Sequence, residues 1–262
     1  MLNKLLFTLF SISLLAAAPL EIPIQRLKYD FRFADADIQG QKFLLLIDTG
    51  SGYAISLNKR LTQDLELIKT GKTANFYRTN GEAFHSDEIL IPEVHFGPIT
   101  FTNILGREDG EWLDQNPLKI EGILGRPFLQ NHYVLIDLVD NKLILSETQA
   151  EIEDLGYPLD QWATTPFSLT NVGIILDVQI QNLPAQLALD TGSSHTIVKN
   201  SFKARNNLDQ VDTLTACGLP FNDFVQRDLV EPAEVDGFLG INFLNNRKLF
   251  IDFQQKQIRL SP

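Results

Sequence analysis

The 262-residue chain is short of several residue types, and each shortage removes a class of chemistry. Cys217 is the only cysteine, so no intramolecular disulfide can form. It sits in Thr215-Ala216-Cys217-Gly218 with no histidine beside it, which reads as a core or loop thiol and not a nucleophile. The four histidines, His85, His95, His132 and His195, lack metal-ligand spacing, so no metal and no other cofactor is expected. There is no glycine-rich phosphate loop and no Gly-x-Ser-x-Gly elbow. The 22 Lys and Arg are outnumbered by 33 Asp and Glu, giving a net charge of −11. No basic cluster exists to face phosphates, which excludes nucleic acid as a partner.

Long apolar runs are missing too, except at the start. In Met1–Ala18 the only charge is Lys4, Leu5 to Leu15 is apolar with small polar interruptions, and Ala16-Ala17-Ala18 offers a cleavage site. The run is short for a transmembrane helix. Pro19 directly after Ala18 leaves an uncleaved tether open. Residues 1–18 therefore read as a signal peptide or N-terminal anchor, and the protein as exported, to a periplasm or beyond. Membrane contact is expected only through this segment. Eighteen Phe, sixteen Gly and twelve Pro favour many short strands and turns, hence a mostly β fold.

What the chain does have, it has twice. Asp48-Thr49-Gly50-Ser51-Gly52 follows the apolar run Phe43–Ile47, and Asp190-Thr191-Gly192-Ser193-Ser194 follows Leu187-Ala188-Leu189. Later, Gly122-Ile123-Leu124-Gly125 is echoed by Gly237-Phe238-Leu239-Gly240, and Val134–Leu138 by Leu249–Phe253. The echoes are 115 positions apart (Gly125 to Gly240) and the acidic turns 142 (Asp48 to Asp190), so the first half carries 27 extra residues. Order, spacing and residue type recur together, the mark of an internal duplication. An Asp at the end of an apolar strand is costly unless bonded or used. Two in matching contexts point to one shared site.

These residues resemble a retropepsin-like aspartic protease in single-chain, two-lobed form, distantly related to the pepsins. The resemblance covers roughly residues 28 to 262. It implies two similar β-barrel-like lobes with short helices and a cleft between them. Each lobe would contribute one catalytic Asp, Asp48 and Asp190. The apolar-apolar-Gly strands Ile123-Leu124-Gly125 and Phe238-Leu239-Gly240 would cross behind the acidic turns. The resemblance also implies that the Thr49 and Thr191 hydroxyls bond across the lobe interface, and that a flap hairpin closes over the substrate. Asn80-Gly81 between aromatic-rich runs is a strong hairpin signal, because both residues tolerate positive φ. Tyr77 near its tip would be the flap tyrosine.

The chemistry follows from the carboxyl pair. Two carboxylates close together cannot both ionise readily, so they share one proton. The ionised one can deprotonate a water, and the protonated one can donate to the carbonyl oxygen of a peptide. No covalent intermediate and no metal is required. Gly50 and Gly192 let backbone N–H groups approach the carboxylates, and Ser51 and Ser193 are placed to donate to them. The function expected is aspartic endopeptidase action on an extended peptide or protein. The alternative is a catalytically inactive peptide-binding protein on the same scaffold. A monomer suffices, since the duplication supplies both halves.

The expected layout is an N-terminal lobe over 19–146, a connection over 147–166 and a C-terminal lobe over 167–262. Leu27 to Ile47 suits two strands joined near Asp35 to Gly40. Asn58 to Ile68 has helix spacing with Asn58 as its cap. Ile89 to Ile104 suits a hairpin around Gly97-Pro98. Gly106 to Lys119 reads as a polar, turn-rich loop holding part of the extra length. Asp137 and Asp252, which also match in the repeat, read as turn residues satisfying backbone donors.

Overall fold

A computed structural model describes residues 18–77, 81–109, 113 and 118–262. It is built almost wholly of strands, and the duplication shapes it. In the first lobe Gln41–Asp48 runs parallel to Gly122–Gly125, with Leu45 opposite Gly122 and Asp48 opposite Gly125. In the second, Leu183–Leu189 runs parallel to Gly237–Leu239, with Leu187 opposite Gly237. Each Gly-containing strand also pairs antiparallel with the strand that leaves the acidic turn, Ile55–Asn58 or Thr196–Lys199. The echo strand thus lies between the two arms of each acidic loop. Only glycine fits there: a Cβ on Gly122 would meet the Ser56 carbonyl, and one on Gly237 the Ile197 carbonyl.

The first lobe closes on itself in a barrel-like manner. Arg32–Ile38 pairs with Gln41–Asp48 through a turn at Gln39-Gly40, and it also touches Ala83–Phe96 at Asp37 and His95. The 27 extra residues extend three successive strands. Ile68–Tyr77, Ala83–Phe96 and Ile99–Asp109 have 10, 14 and 11 residues, whereas the second lobe's Leu214–Ala216, Leu219–Phe221 and Phe224–Arg227 have 3, 3 and 4. Cys217 lies in the short turn Cys217-Gly218, both with positive φ, as a buried free thiol.

Beneath both lobes lies a shared antiparallel layer. Its strand order is Ala163–Pro166, Gln257–Leu260, Lys248–Asp252, Tyr133–Asp137, Lys142–Ser146 and Leu20–Arg26. The duplicated strands meet in it directly, Leu249 opposite Ile136 and Ile251 opposite Val134. Asp137 accepts from the backbone N–H of Val139 (3.0 Å) and Asp140 (2.8 Å), and Asp252 from Gln254 (2.9 Å) and Gln255 (2.8 Å). Both act in turns, as expected from their place in the repeat. Asp137 also receives Lys248 Nζ at 2.7 Å and the Tyr157 hydroxyl at 3.1 Å; burial and that carboxylate push the Tyr157 phenol up to about 12. One apolar cluster runs through both lobes.

Two expectations need correction, and two stretches gain structure that the sequence left unassigned. Asn58–Ile68 is not a helix: a single 3₁₀ turn, Lys59–Leu61, is capped by Asn58 accepting from the Arg60 N–H (3.1 Å), and a strand starts at Ile68. The cap was real, but pairing of Ile68 with Leu90 took the rest. Gly106–Asp109 is strand and not loop, held by parallel pairing to Ile55–Asn58. The 147–166 connection is ordered by helix Gln149–Asp154, with a Thr148/Glu151 capping box, and by strand Ala163–Pro166. Leu20–Arg26, unassigned from sequence, joins the shared layer against Lys142–Leu145. Among the described residues no helix is long and apolar enough to cross a membrane.

Candidate active site

The apolar strands Gln41–Asp48 and Leu183–Leu189 deliver Asp48 and Asp190 to one point. An ideal Cβ on Gly50 would lie 2.9 Å from Asp190 Cγ, and one on Gly192 would lie 2.5 Å from Asp48 Cγ. Each turn glycine is therefore required by the opposite lobe's carboxyl. Neither has positive φ, so close approach is the reason and not backbone strain. Within each turn the backbone supports its own carboxylate. Gly50 N–H donates to Asp48 Oδ1 at 2.8 Å, Ser51 N–H to the same oxygen at 3.1 Å, and Gly192 N–H to Asp190 Oδ1 at 2.9 Å.

The threonines between them tie the loops together. Thr49 Oγ1 donates to the Leu189 carbonyl (2.9 Å) and accepts from Thr191 N–H (3.1 Å). Thr191 Oγ1 donates to the Ile47 carbonyl (2.8 Å) and accepts from Thr49 N–H (3.0 Å). Both residues are fully buried. Four bonds with two-fold symmetry thus fix the carboxyls relative to each other. The apolar-apolar-Gly strands lie directly behind: a Cβ on Gly125 would overlap the Tyr53 carbonyl, and one on Gly240 the His195 carbonyl. Asp190 N–H donates to the Leu239 carbonyl at 3.0 Å, and Arg126 N–H to the Ser51 carbonyl at 3.2 Å. Ile123, Leu124, Phe238 and Leu239 are buried.

Electrostatically the pair is asymmetric. Desolvation pushes both carboxyls above the usual range. For Asp190 the neighbouring Asp48 charge and a hydrogen bond to Asp48 add to this, and it lies well above the ordinary value. For Asp48 the Gly50 N–H, the bond from Asp190, the Ser51 N–H and the Arg107 charge pull the other way. Both carboxyls are thus pushed up, Asp190 further than Asp48.

The serines behave differently from expectation. Ser51 Oγ is buried without a hydrogen-bond partner, and Ser193 Oγ donates to the His195 carbonyl at 2.8 Å. Ser51 supports the carboxylate with its backbone N–H, because its side chain packs toward Gly125.

The expected hairpin is formed by Ile68–Tyr77 and Ala83–Phe96, with Phe76 opposite Phe84 and Tyr77 opposite Ala83. Gly81 has φ 86°, and a Cβ on it would lie 3.4 Å from Val230 Cγ1, so the tip meets the second lobe. Asn80 and the Tyr77 side chain lie outside the described residues. Sequence reasoning missed Arg107, which it assigned to a surface loop. The aromatic rings that bury it come from distant stretches. Among the described residues no group of three or more His, Cys, Asp or Glu is arranged to hold a metal.

Residues 34–128, from the strand before the first acidic turn to just past its Gly echo, match the family model described as Aspartyl protease. Among solved structures, the crystal structure of Basic 7S globulin from soybean superposes with a TM-score of 0.62 at 11% identity, covering 93% of this chain and 95% of that one. The aspartic proteinase from Irpex lacteus gives a TM-score of 0.58 at 14% identity, covering 93% and 97%. At such identities these likenesses show the fold. No curated protein sequence matches the chain.

Proposed function

Taking the chain as a distant relative of the pepsin- and retropepsin-like aspartic proteases, we propose that it is an endopeptidase whose single site is the Asp48–Asp190 pair. The observation that carries this reading is the mutual approach of the carboxyls, each close enough to forbid a Cβ on the other lobe's turn glycine. Asp48, the better supported anion, is the base that takes a proton from the attacking water. Asp190, the proton holder, donates to the carbonyl oxygen as it gains charge. The water adds directly, so no acyl-enzyme forms.

The substrate is an extended peptide lying across both lobes beneath the hairpin whose tip meets Val230. An extended backbone suits such a groove because its N–H and C=O groups can pair with flanking strands. With Met1–Ala18 as an export signal or tether, the substrates would be periplasmic or extracellular. The pH profile should be bell-shaped, its acid limb set by protonation of Asp48 and its alkaline limb by loss of the Asp190 proton.

The test is cleavage of a mixed peptide library by residues 19–262 between pH 3 and 8, beside Asp48→Asn and Asp190→Asn. Cleavage by the parent alone supports the proposal. A folded parent that binds peptides and cuts none moves the inactive peptide-binder ahead, and cleavage surviving both changes places the site elsewhere.

A further inference from the structure

Arg107 carries a charge where burial makes charge costly, at 8% exposure. It sits on Ile99–Asp109 opposite Ser56, whose hydroxyl accepts from its Nε at 2.8 Å. Its guanidinium lies 4.1 Å from the Phe76 ring centroid and 5.7 Å from those of Phe84 and Tyr53. Phe76 and Phe84 stack at 5.3 Å on the two arms of the flap hairpin, and Tyr53 follows the first acidic turn. The cation is thus clamped between the flap hairpin, close to its tip, and the loop that carries Asp48. Aromatic faces stabilise a desolvated guanidinium, and arginine does not release its proton, so the charge there is fixed.

The duplication shows that this cation belongs to one side only. Ser56 has its counterpart in Ile197, because the Ser56 and Ile197 carbonyls crowd the equivalent glycines Gly122 and Gly237. Ile197 pairs with Val225 in the strand equivalent to Ile99–Asp109. Where the first lobe has an arginine, the second has a valine. The backbone around the two carboxyls is two-fold symmetric and the charge behind them is not.

We propose that Arg107 is a positioning residue that biases the roles within the dyad: its caged guanidinium behind the first acidic loop adds to the backbone N–H groups in favouring Asp48 as the carboxylate, with the shared proton on Asp190. This rests on the dyad proposed above. The other charged groups near Arg107 fit the assignment. Asp109 Oδ2 is 3.5 Å away and partly balances the guanidinium. Glu88, opposite Arg107 in the hairpin, is occupied by Thr70 Oγ1 (2.9 Å), by Lys72 Nζ (3.7 Å) and by the Tyr53 hydroxyl. Behind the second acidic loop the equivalent position is held by Val225, which carries no charge.

The test is a carboxyl-carbon NMR titration of ¹³C-aspartate-labelled protein, with Asp48→Asn and Asp190→Asn supplying the assignments. It reads the dyad whether or not peptides are cleaved, so it stands apart from the endopeptidase proposal. In Arg107→Met the Asp48 midpoint should rise by about one pH unit while Asp190 moves less. Arg107→Lys should recover at least half of that shift. Because Asp109 lies beside the guanidinium, the double variant Arg107→Met/Asp109→Asn is titrated beside it and should shift Asp48 in the same direction. If a peptide is cleaved, the acid limb of kcat/KM moves with Asp48. An unchanged Asp48 midpoint in folded variants, equal movement of both carboxyls, or a lysine variant no better than methionine would each overturn the proposal.

Discussion

Thr49→Val removes one hydroxyl and little volume, and the structure gives its cost. Thr49 Oγ1 makes two of the four bonds across the lobe interface, so valine orphans the Leu189 carbonyl and the Thr191 N–H. Both bonds are buried, and valine supplies nothing to replace them. A buried backbone group without its partner costs about 1–3 kcal/mol, so the pair should cost about 2–6 kcal/mol. With an unfolding slope on the order of 3 kcal/mol per M, that lowers the urea midpoint by about 1 M. Thr49→Ser keeps the hydroxyl and should stay within about 1 kcal/mol of the parent, mainly the loss of one buried methyl. The same bonds align the carboxyls, so kcat/KM of the valine variant should fall about a hundredfold. Urea unfolding followed by fluorescence and circular dichroism, with peptide kinetics at one pH, reads all three. A valine variant within about 0.5 kcal/mol of the parent would refute the reasoning, because the two bonds of the Thr49 hydroxyl would then be idle.

Gly192→Ala puts a methyl 2.5 Å from Asp48 Cγ; the expected result is a folded protein by circular dichroism with hydrolysis reduced at least a hundredfold. Asp190 is held protonated above its unfolded value of 3.8. Its contribution to stability is thus full below that value and lost as pH rises through the folded midpoint. Asp190→Asn should therefore be more stable than the parent at pH 7 and no more stable at pH 3, by thermal melts at both. Burial pushes the Cys217 thiol up, so a thiol reagent should label it at least a hundredfold faster in urea than in buffer.

The site was legible in the sequence because the duplication wrote it twice. Asp48 and Asp190 were readable as a pair from their matching turns, and the crossing strands from their glycines. The threonine bonds rested on resemblance alone, and they fall at the residues it named. Contacts between stretches far apart in the chain were not legible. Arg107, Glu108 and Asp109 look like a surface loop by composition, yet all three are buried on a strand because Ile55–Asn58 pairs with them. Asn58 to Ile68 carried helix spacing, but Leu61, Leu65 and Leu67 pack against the core from a turn and loop. The serine hydroxyls went elsewhere because rotamer choice is set by neighbours such as Gly125 and His195, which no local pattern records.

The central claim is that two lobes supply one catalytic unit, and non-additivity tests it most directly. On any peptide the parent cleaves, kcat/KM is measured for Asp48→Asn, Asp190→Asn and the double variant. Groups that act as a unit are lost together. Either single change should cost about as much as both, and the double variant should be no slower than the slower single. Losses that multiply in the double variant would mean that the two carboxyls work separately, and would contradict a shared proton between Asp48 and Asp190.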